Sequence, residues 1–417
     1  MQTPATHTAL AALAAALVLA IPTASATPLL DEELLEGRAP TAEELRPSVE
    51  AAFARESYAP GDTATMTVFN RADGVTFRVF HTGPERTATR GGNEMRGVPV
   101  TRAAAATGRR ISIRVGDWPS GLYFARLTAS DGRVGFAPFT VRPRRLGGHR
   151  VAVVLPTLTW QAYNLRGGGS WYASWNVKTA RLARPFLNRG VPYNFRRYDL
   201  PFLHWLAWTG RGADVLSDAD LDGASGDELA RAYRLIVFPG HHEYVTEHEY
   251  DAIERFRDRG GNLAFLSANN FFWRTVRDGD TIERTRQWRD LDRPESALIG
   301  VDYRGNDSGT HRASWIVRDA AAAPWLFEAT GLEDGDTFGS GGIEIDHTAP
   351  SSPAGVHVLA EIPDLFGPGF TAQMTYYELP RGAKVFAAGA FNFTRELETD
   401  PVAGRLVGNL WKHLSRP

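Results

Sequence analysis

The stretch that decides the fold is Leu235-Ile-Val-Phe-Pro-Gly-His-His-Glu-Tyr-Val-Thr-Glu-His-Glu-Tyr-Asp-Ala-Ile-Glu-Arg-Phe-Arg-Asp-Arg-Gly-Gly-Asn-Leu-Ala-Phe-Leu266. It opens on an unbroken apolar run, Leu235 to Phe238, the pattern of a strand covered on both faces rather than on one. Pro239-Gly240 ends that run. Thr246 and Glu249 then stand at the spacing of a helix capping box. Tyr250, Ile253 and Phe256 recur on one helical face, and Gly260-Gly261 closes the helix. A second apolar run, Leu263 to Leu266, follows. Strand, helix, strand in this order implies parallel pairing through a right-handed crossover.

Outward from this unit, Val151-Ala-Val-Val-Leu155 and Lys384-Val-Phe-Ala-Ala388 read as further strands of the same kind. Residues 144–417 are therefore expected to form a three-layer α/β domain with a mostly parallel sheet, of the amidotransferase or flavodoxin-like type. Upstream the period changes to two. Thr63-Ala-Thr-Met-Thr-Val-Phe69, Val75-Thr-Phe-Arg-Val-Phe80, Arg110-Ile-Ser-Ile-Arg114, Gly121-Leu-Tyr-Phe-Ala-Arg-Leu127 and Val134-Gly-Phe-Ala-Pro-Phe-Thr-Val141 alternate between turns such as Pro60-Gly-Asp62. Residues 46–143 are expected to be an immunoglobulin-like β-sandwich.

Residues 27–45 read as a disordered, acidic lead-in. Residues 1–26 read as a secretory signal, with an apolar run over 9–21 and Ala24-Ser-Ala26 before a mature start at Thr27. The expectation is an exported, secreted protein with no integral membrane segment once the signal is cleaved. Hydrophobic residues at 43% and charged residues at 23% give an ordinary globular balance. A net charge of -2 offers no attraction for nucleic acid. The absence of cysteine removes disulfides, thiolate ligands and a thiol nucleophile, so the core alone must hold the chain.

Three segments follow predicted strands, where open parallel sheets bind ligands. After Leu155 come Gln161, Tyr163 and Asn164, which fit a site wall or an ordinary buried tyrosine. After Phe238 come His241, His242 and Glu243, which fit a carboxylate ligand with a neighbouring imidazole, or a plain helix cap. After Leu266 come Asn269 and Asn270, then Phe271, Phe272 and Trp273 as apolar walls. Gly167-Gly-Gly169 lacks the lysine and spacing of a phosphate loop, and neither a G-x-S-x-G elbow nor an H-E-x-x-H motif occurs.

Val154-Leu-Pro-Thr-Leu-Thr-Trp-Gln-Ala-Tyr-Asn164, Gly240-His-His-Glu-Tyr244 and Gly260-Gly-Asn-Leu-Ala-Phe-Leu-Ser-Ala-Asn269 together resemble the C-terminal domain of the N,N-dimethylformamidase large subunit, from about Pro119 to the C-terminus. The resemblance implies an amide hydrolase with one ferric iron (Fe3+) per chain, acting on a small-molecule amide. Carried over, the iron ligands are Tyr123, Tyr163 and Glu243, with His241 and Asn269 as catalytic residues. Phenolates and a carboxylate are hard donors that suit such an ion, which would act as Lewis acid. The implied role of His241 is proton transfer, and that of Asn269 is orientation. The family enzyme works with a separate small subunit, so an oligomer is open here. A second reading is a non-catalytic or carbohydrate-directed exported binding protein, with Trp160, Trp171 and Trp175 as sugar-stacking surfaces.

Overall fold

The computed structural model describes residues 39–168, 170–172, 176–307 and 310–416. The expected signal, residues 1–26, lies outside the described residues, as does the lead-in up to residue 38. Residues 41–45 form a turn closed by the Leu45 amide on the Thr41 carbonyl at 3.1 Å.

The next hundred residues form two sheets around one core. A three-stranded antiparallel sheet contains Ala51–Phe53, Thr63–Val68 and Arg110–Arg114. A six-stranded sheet is built on Thr76–His81, Gly121–Thr128 and Val134–Val141. Period-two alternation sends Ala64, Met66, Ile111 and Ile113 from the first sheet against Val79, Tyr123, Ala125, Leu127 and Phe139 from the second. Gly121–Thr128 has a second buried face. Leu122 and Phe124, with Phe136 of the next strand, enter the core of the large sheet that follows.

That sheet has eleven strands. In chain order they are β1 Val151–Leu155, β2 Asp214–Ser217, β3 Leu235–Phe238, β4 Asn262–Phe265, β5 Asp302–Asn306, β6 Arg312–Val317, β7 Thr337–His347, β8 His357–Ile362, β9 Ala372–Glu378, β10 Lys384–Ala387 and β11 Ala390–Phe391. The spatial order is β2-β1-β3-β4-β10-β9-β8-β6-β7-β5, with β11 on β7. The first five strands are parallel, including the expected β3–β4 pair in register Leu235 to Asn262. Helix α3, Glu247–Asp258, links that pair; Thr246 and Glu249 form its capping box, and Gly260 ends it at φ 91°. Alternate residues of the parallel strands enter two different cores. Val153, Leu155, Leu235 and Val237 meet α2, Leu200–Trp208, and α4, Pro401–Leu414. Ala152, Val154, Ile236 and Phe238 meet Tyr250, Ile253 and Phe256 of α3. Helices thus cover both faces, which is why these strands are apolar throughout.

The expectation of a mostly parallel sheet holds only for that half. Every pairing from β10 through β9, β8, β6 and β7 to β5 is antiparallel. The switch occurs at β10, where the turn around Gly382, φ 87°, returns the chain directly from β9 with no crossover helix. Among the described residues, no helix is long and apolar enough to cross a membrane.

Candidate functional site

β1, β3 and β4 are neighbours, and their carboxyl ends bring the three candidate segments together. β1 runs into α1, Thr157–Ala162, whose N-terminal amide at Leu158 is capped by the Asp218 carboxylate at 2.7 Å. Tyr163 is the C-cap of α1. Its hydroxyl donates to Oε2 of Glu243 at 2.9 Å. The chain then returns through Ser170, whose Oγ donates to the Ala162 carbonyl at 3.1 Å and accepts the Tyr172 amide at 3.2 Å. This places the Tyr172 hydroxyl 3.2 and 3.0 Å from the two oxygens of Glu243. The two phenol rings stack at 4.0 Å, and Tyr193 stacks on the other side of Tyr163 at 5.3 Å. Tyr244 is hydrogen-bonded to Tyr172 through their hydroxyls.

Glu243 is fully buried, and an unpaired buried carboxylate would cost several kcal/mol, of the order that drives a group to neutralise. Two phenol donors offset that cost. The segment carrying it is fixed from β4's side, since the Phe272 and Trp273 amides both donate to the Glu243 carbonyl, at 3.0 and 2.9 Å. His241 lies two residues earlier, with Nε2 3.4 Å from Glu243 and 3.7 Å from Glu344 of β7. Phe391 of β11 packs on its ring at 4.7 Å. Burial, then the adjacent His242, pushes the His241 imidazole down to about 3. Gly240 precedes it because the buried Asp199 presses there; a Cβ would lie 2.4 Å from the Asp199 carboxylate. Asn269 follows β4 in a left-handed conformation, φ 52°, and its amide donates to Asp346 of β7.

Tyr123 is not part of this cluster. It lies in the core between the two N-terminal sheets, its ring against His81 and Trp118 and its hydroxyl on the Pro119 carbonyl at 2.8 Å. Its hydroxyl is raised above the ordinary phenol range by burial. The second tyrosine beside Glu243 is Tyr172, three residues beyond Gly167-Gly-Gly169. Tyr244 directly follows Glu243 in the chain, and Glu344 sits about a hundred residues away on a strand that local pattern does not connect to the site. Gln161 and Asn164 face elsewhere. Gln161 accepts from the Arg184 guanidinium at 3.2 Å, and Asn164 donates to the Pro185 carbonyl at 3.1 Å. Asn270 accepts the His242 amide at 3.1 Å, while Phe272 and Trp273 join the apolar cluster around Tyr163 and Tyr172. Trp160 and Trp171 are buried, which removes them as sugar-stacking surfaces; Trp175 lies outside the described residues.

Among the described residues, no group of three or more His, Asp or Glu side chains is arranged to hold a metal. A metal here would depend on phenol oxygens, and Tyr163, Tyr172 and Glu243 do converge as three hard oxygen donors. The donor set fits a hard cation.

Fold and site together define a mixed α/β protein with a buried tyrosine–carboxylate centre at the carboxyl ends of its parallel strands. Residues 108–404 match the family described as N,N-dimethylformamidase beta subunit-like, C-terminal, and the chain belongs to that family. It is 32% identical over 111 residues to the N,N-dimethylformamidase beta subunit of Alcaligenes sp, and 32% over 108 residues to that of Paracoccus aminophilus. Each match covers 26% of this chain and 14% of the relative, so the chain aligns with a small part of those proteins. Among solved structures, an uncharacterized Bacillus anthracis protein matches with TM-score 0.18 at 12% identity, over 22% of this chain and 80% of that one.

Proposed function

We propose that the chain hydrolyses the C–N bond of a small linear amide at a mononuclear ferric iron held by Tyr163, Tyr172 and Glu243. The observation that carries this reading is the meeting of two phenol hydroxyls on one buried carboxylate within the family region. Tyr172 takes the place that the resemblance gave to Tyr123. When bound, the ion would supply Lewis-acid polarisation of the amide carbonyl.

The protein's own groups do the rest. Loading requires the two phenol protons now directed at Glu243 to leave, so metal uptake releases protons. His241, between Glu243 and Glu344, is the group placed to carry a proton to the departing amine. Phe391, Phe272 and Tyr193 keep the surroundings apolar and exclude water. The two N-terminal sheets fit an immunoglobulin-type sandwich, the parallel half fits a flavodoxin-like layering, and export follows from the expected signal. Since the relatives are named as beta subunits, assembly with another subunit belongs to the same reading.

Two variants test it. Glu243→Ala should lose both iron and hydrolysis of N,N-dimethylformamide. His241→Ala should keep iron and lose about 10²–10⁴-fold in rate, the usual worth of general acid–base catalysis. Folded, metallated and active Glu243→Ala protein would refute the assignment.

A further inference from the structure

We propose that Asp346 is a positioning residue: it holds Asn269 in its left-handed conformation and so fixes the Asn269 carboxamide as a hydrogen-bond donor to the carbonyl oxygen of a bound amide. The substrate class rests on the amidase reading above; the positioning itself does not.

The backbone carries the first part of the argument. Asn269 has φ 52°, a left-handed conformation that residues with a side chain adopt rarely and asparagine more readily than most. The enforcing contact is specific. The Asn269 amide donates to both carboxylate oxygens of Asp346, at 2.9 and 3.1 Å. Asp346 is itself buried in β7, and its own amide is tied to the Gly389 carbonyl at 2.9 Å.

The side chain carries the second part. Asn269 is 1% exposed, and neither Nδ2 nor Oδ1 has a hydrogen-bond partner among the described residues. Burying such a group unsatisfied costs about 1–3 kcal/mol. A turn that needed only the left-handed backbone would be served by glycine without that cost. Asparagine here therefore pays for a contact the free protein does not make.

Position identifies the contact. The Leu266 amide bonds to the Phe238 carbonyl at 2.9 Å, aligning the ends of β4 and β3, and Asn269 and His241 each stand three residues beyond that bond. Phe391 packs on the His241 ring and clusters with Ala268, the residue before Asn269. Strand β7 carries Glu344, which faces His241, and two residues later on the same side of the strand Asp346. One strand thus holds the carboxylate beside His241 and the carboxylate that binds the Asn269 backbone, and the buried, unpartnered carboxamide of Asn269 is an N–H donor available to the carbonyl oxygen of an amide as that oxygen gains charge.

The test combines crystallography with kinetics. In the Asp346→Ala crystal structure, Asn269 should leave the left-handed region and its carboxamide should move; an unchanged φ and placement would overturn the proposal. In Asp346→Asn, whose side-chain oxygen still accepts a bond, φ and most activity should be retained. Asn269→Gly keeps the backbone and removes the amide, so its melting temperature should stay at or above wild type, its iron content should be unchanged, and kcat/KM for N,N-dimethylformamide should fall about 10²-fold. The double variant Asn269→Gly/Asp346→Ala should lose no more activity than Asn269→Gly alone, because Asp346 acts through Asn269. If Asp346→Ala does not fold, a destabilised or fully active Asn269→Gly protein overturns the proposal by itself. Wild-type protein without amidase activity would refute the substrate class, while the crystal structures would still decide the positioning.

Discussion

Tyr123 and Tyr172 are both buried tyrosines with a bonded hydroxyl, and what separates them is the partner. Tyr123 bonds a backbone carbonyl inside an apolar core, whereas Tyr172 bonds the carboxylate of Glu243. The two tyrosine-to-phenylalanine variants should therefore behave differently. Tyr123→Phe should keep its iron and lose about 1 kcal/mol of stability, the net worth of one hydrogen bond. Tyr172→Phe should lose most of its iron at similar stability. Iron analysis and denaturant titration of both variants distinguish the assignments; loss of iron from Tyr123→Phe alone would restore the original ligand. Tyr163, His241 and Glu243 were legible in the sequence because each lies in the segment that leaves the carboxyl end of an apolar strand, where the fold itself points to a site. Tyr172 was not legible. It arrives at Glu243 through a loop pinned by Ser170, and loop geometry leaves no periodic mark. Glu344 is hidden for a different reason, since its approach to His241 depends on the pairing of β7 with β11.

At the scale of elements, the parallel half of the large sheet was readable because burial on both faces writes unbroken apolar runs such as Val151 to Leu155. The antiparallel half was not. β7 reads Thr-Phe-Gly-Ser-Gly-Gly-Ile-Glu-Ile-Asp-His, in which glycines, acids and hydroxyls break up both the apolar run and the alternation. Helix α2 supplies a test of how elements are joined. Its buried His204 donates from Nδ1 to Glu398 at 2.7 Å and from Nε2 at 3.0 Å to Glu85, which lies just after Thr76–His81 of the N-terminal sheets. Burial alone would lower this imidazole, but the bonds to Glu398 and Glu85 outweigh it and raise the group to about 9. A group raised on folding contributes fully below its unfolded value of about 6.5 and loses that contribution as pH climbs through its folded value. The stability advantage of wild type over His204→Ala should accordingly shrink between pH 6 and pH 9.5 in denaturant titrations. An advantage constant across that window would mean that the ring contributes through packing, for instance its stacking on Trp208, rather than through charge.

Across the whole molecule, the N-terminal sheets and the large sheet share a core, with Leu122, Phe124 and Phe136 packed among Val151, Val153 and Phe202. The family region begins at residue 108, inside the N-terminal sheets, in keeping with that continuity. The proposed export also concerns the whole chain. Intact mass of natively secreted protein should correspond to a start at Thr27, and a mass that retains residues 1–26 would refute cleavage there. The proposed activity turns on whether Tyr163, Tyr172 and Glu243 hold a metal. Elemental analysis of purified wild-type protein, read together with its visible absorption spectrum, measures this most directly. Wild-type protein should hold about one iron per chain and show a phenolate-to-ferric charge-transfer band, both absent from folded Glu243→Ala protein. Colourless wild-type protein that takes up no iron after reconstitution would contradict the proposal.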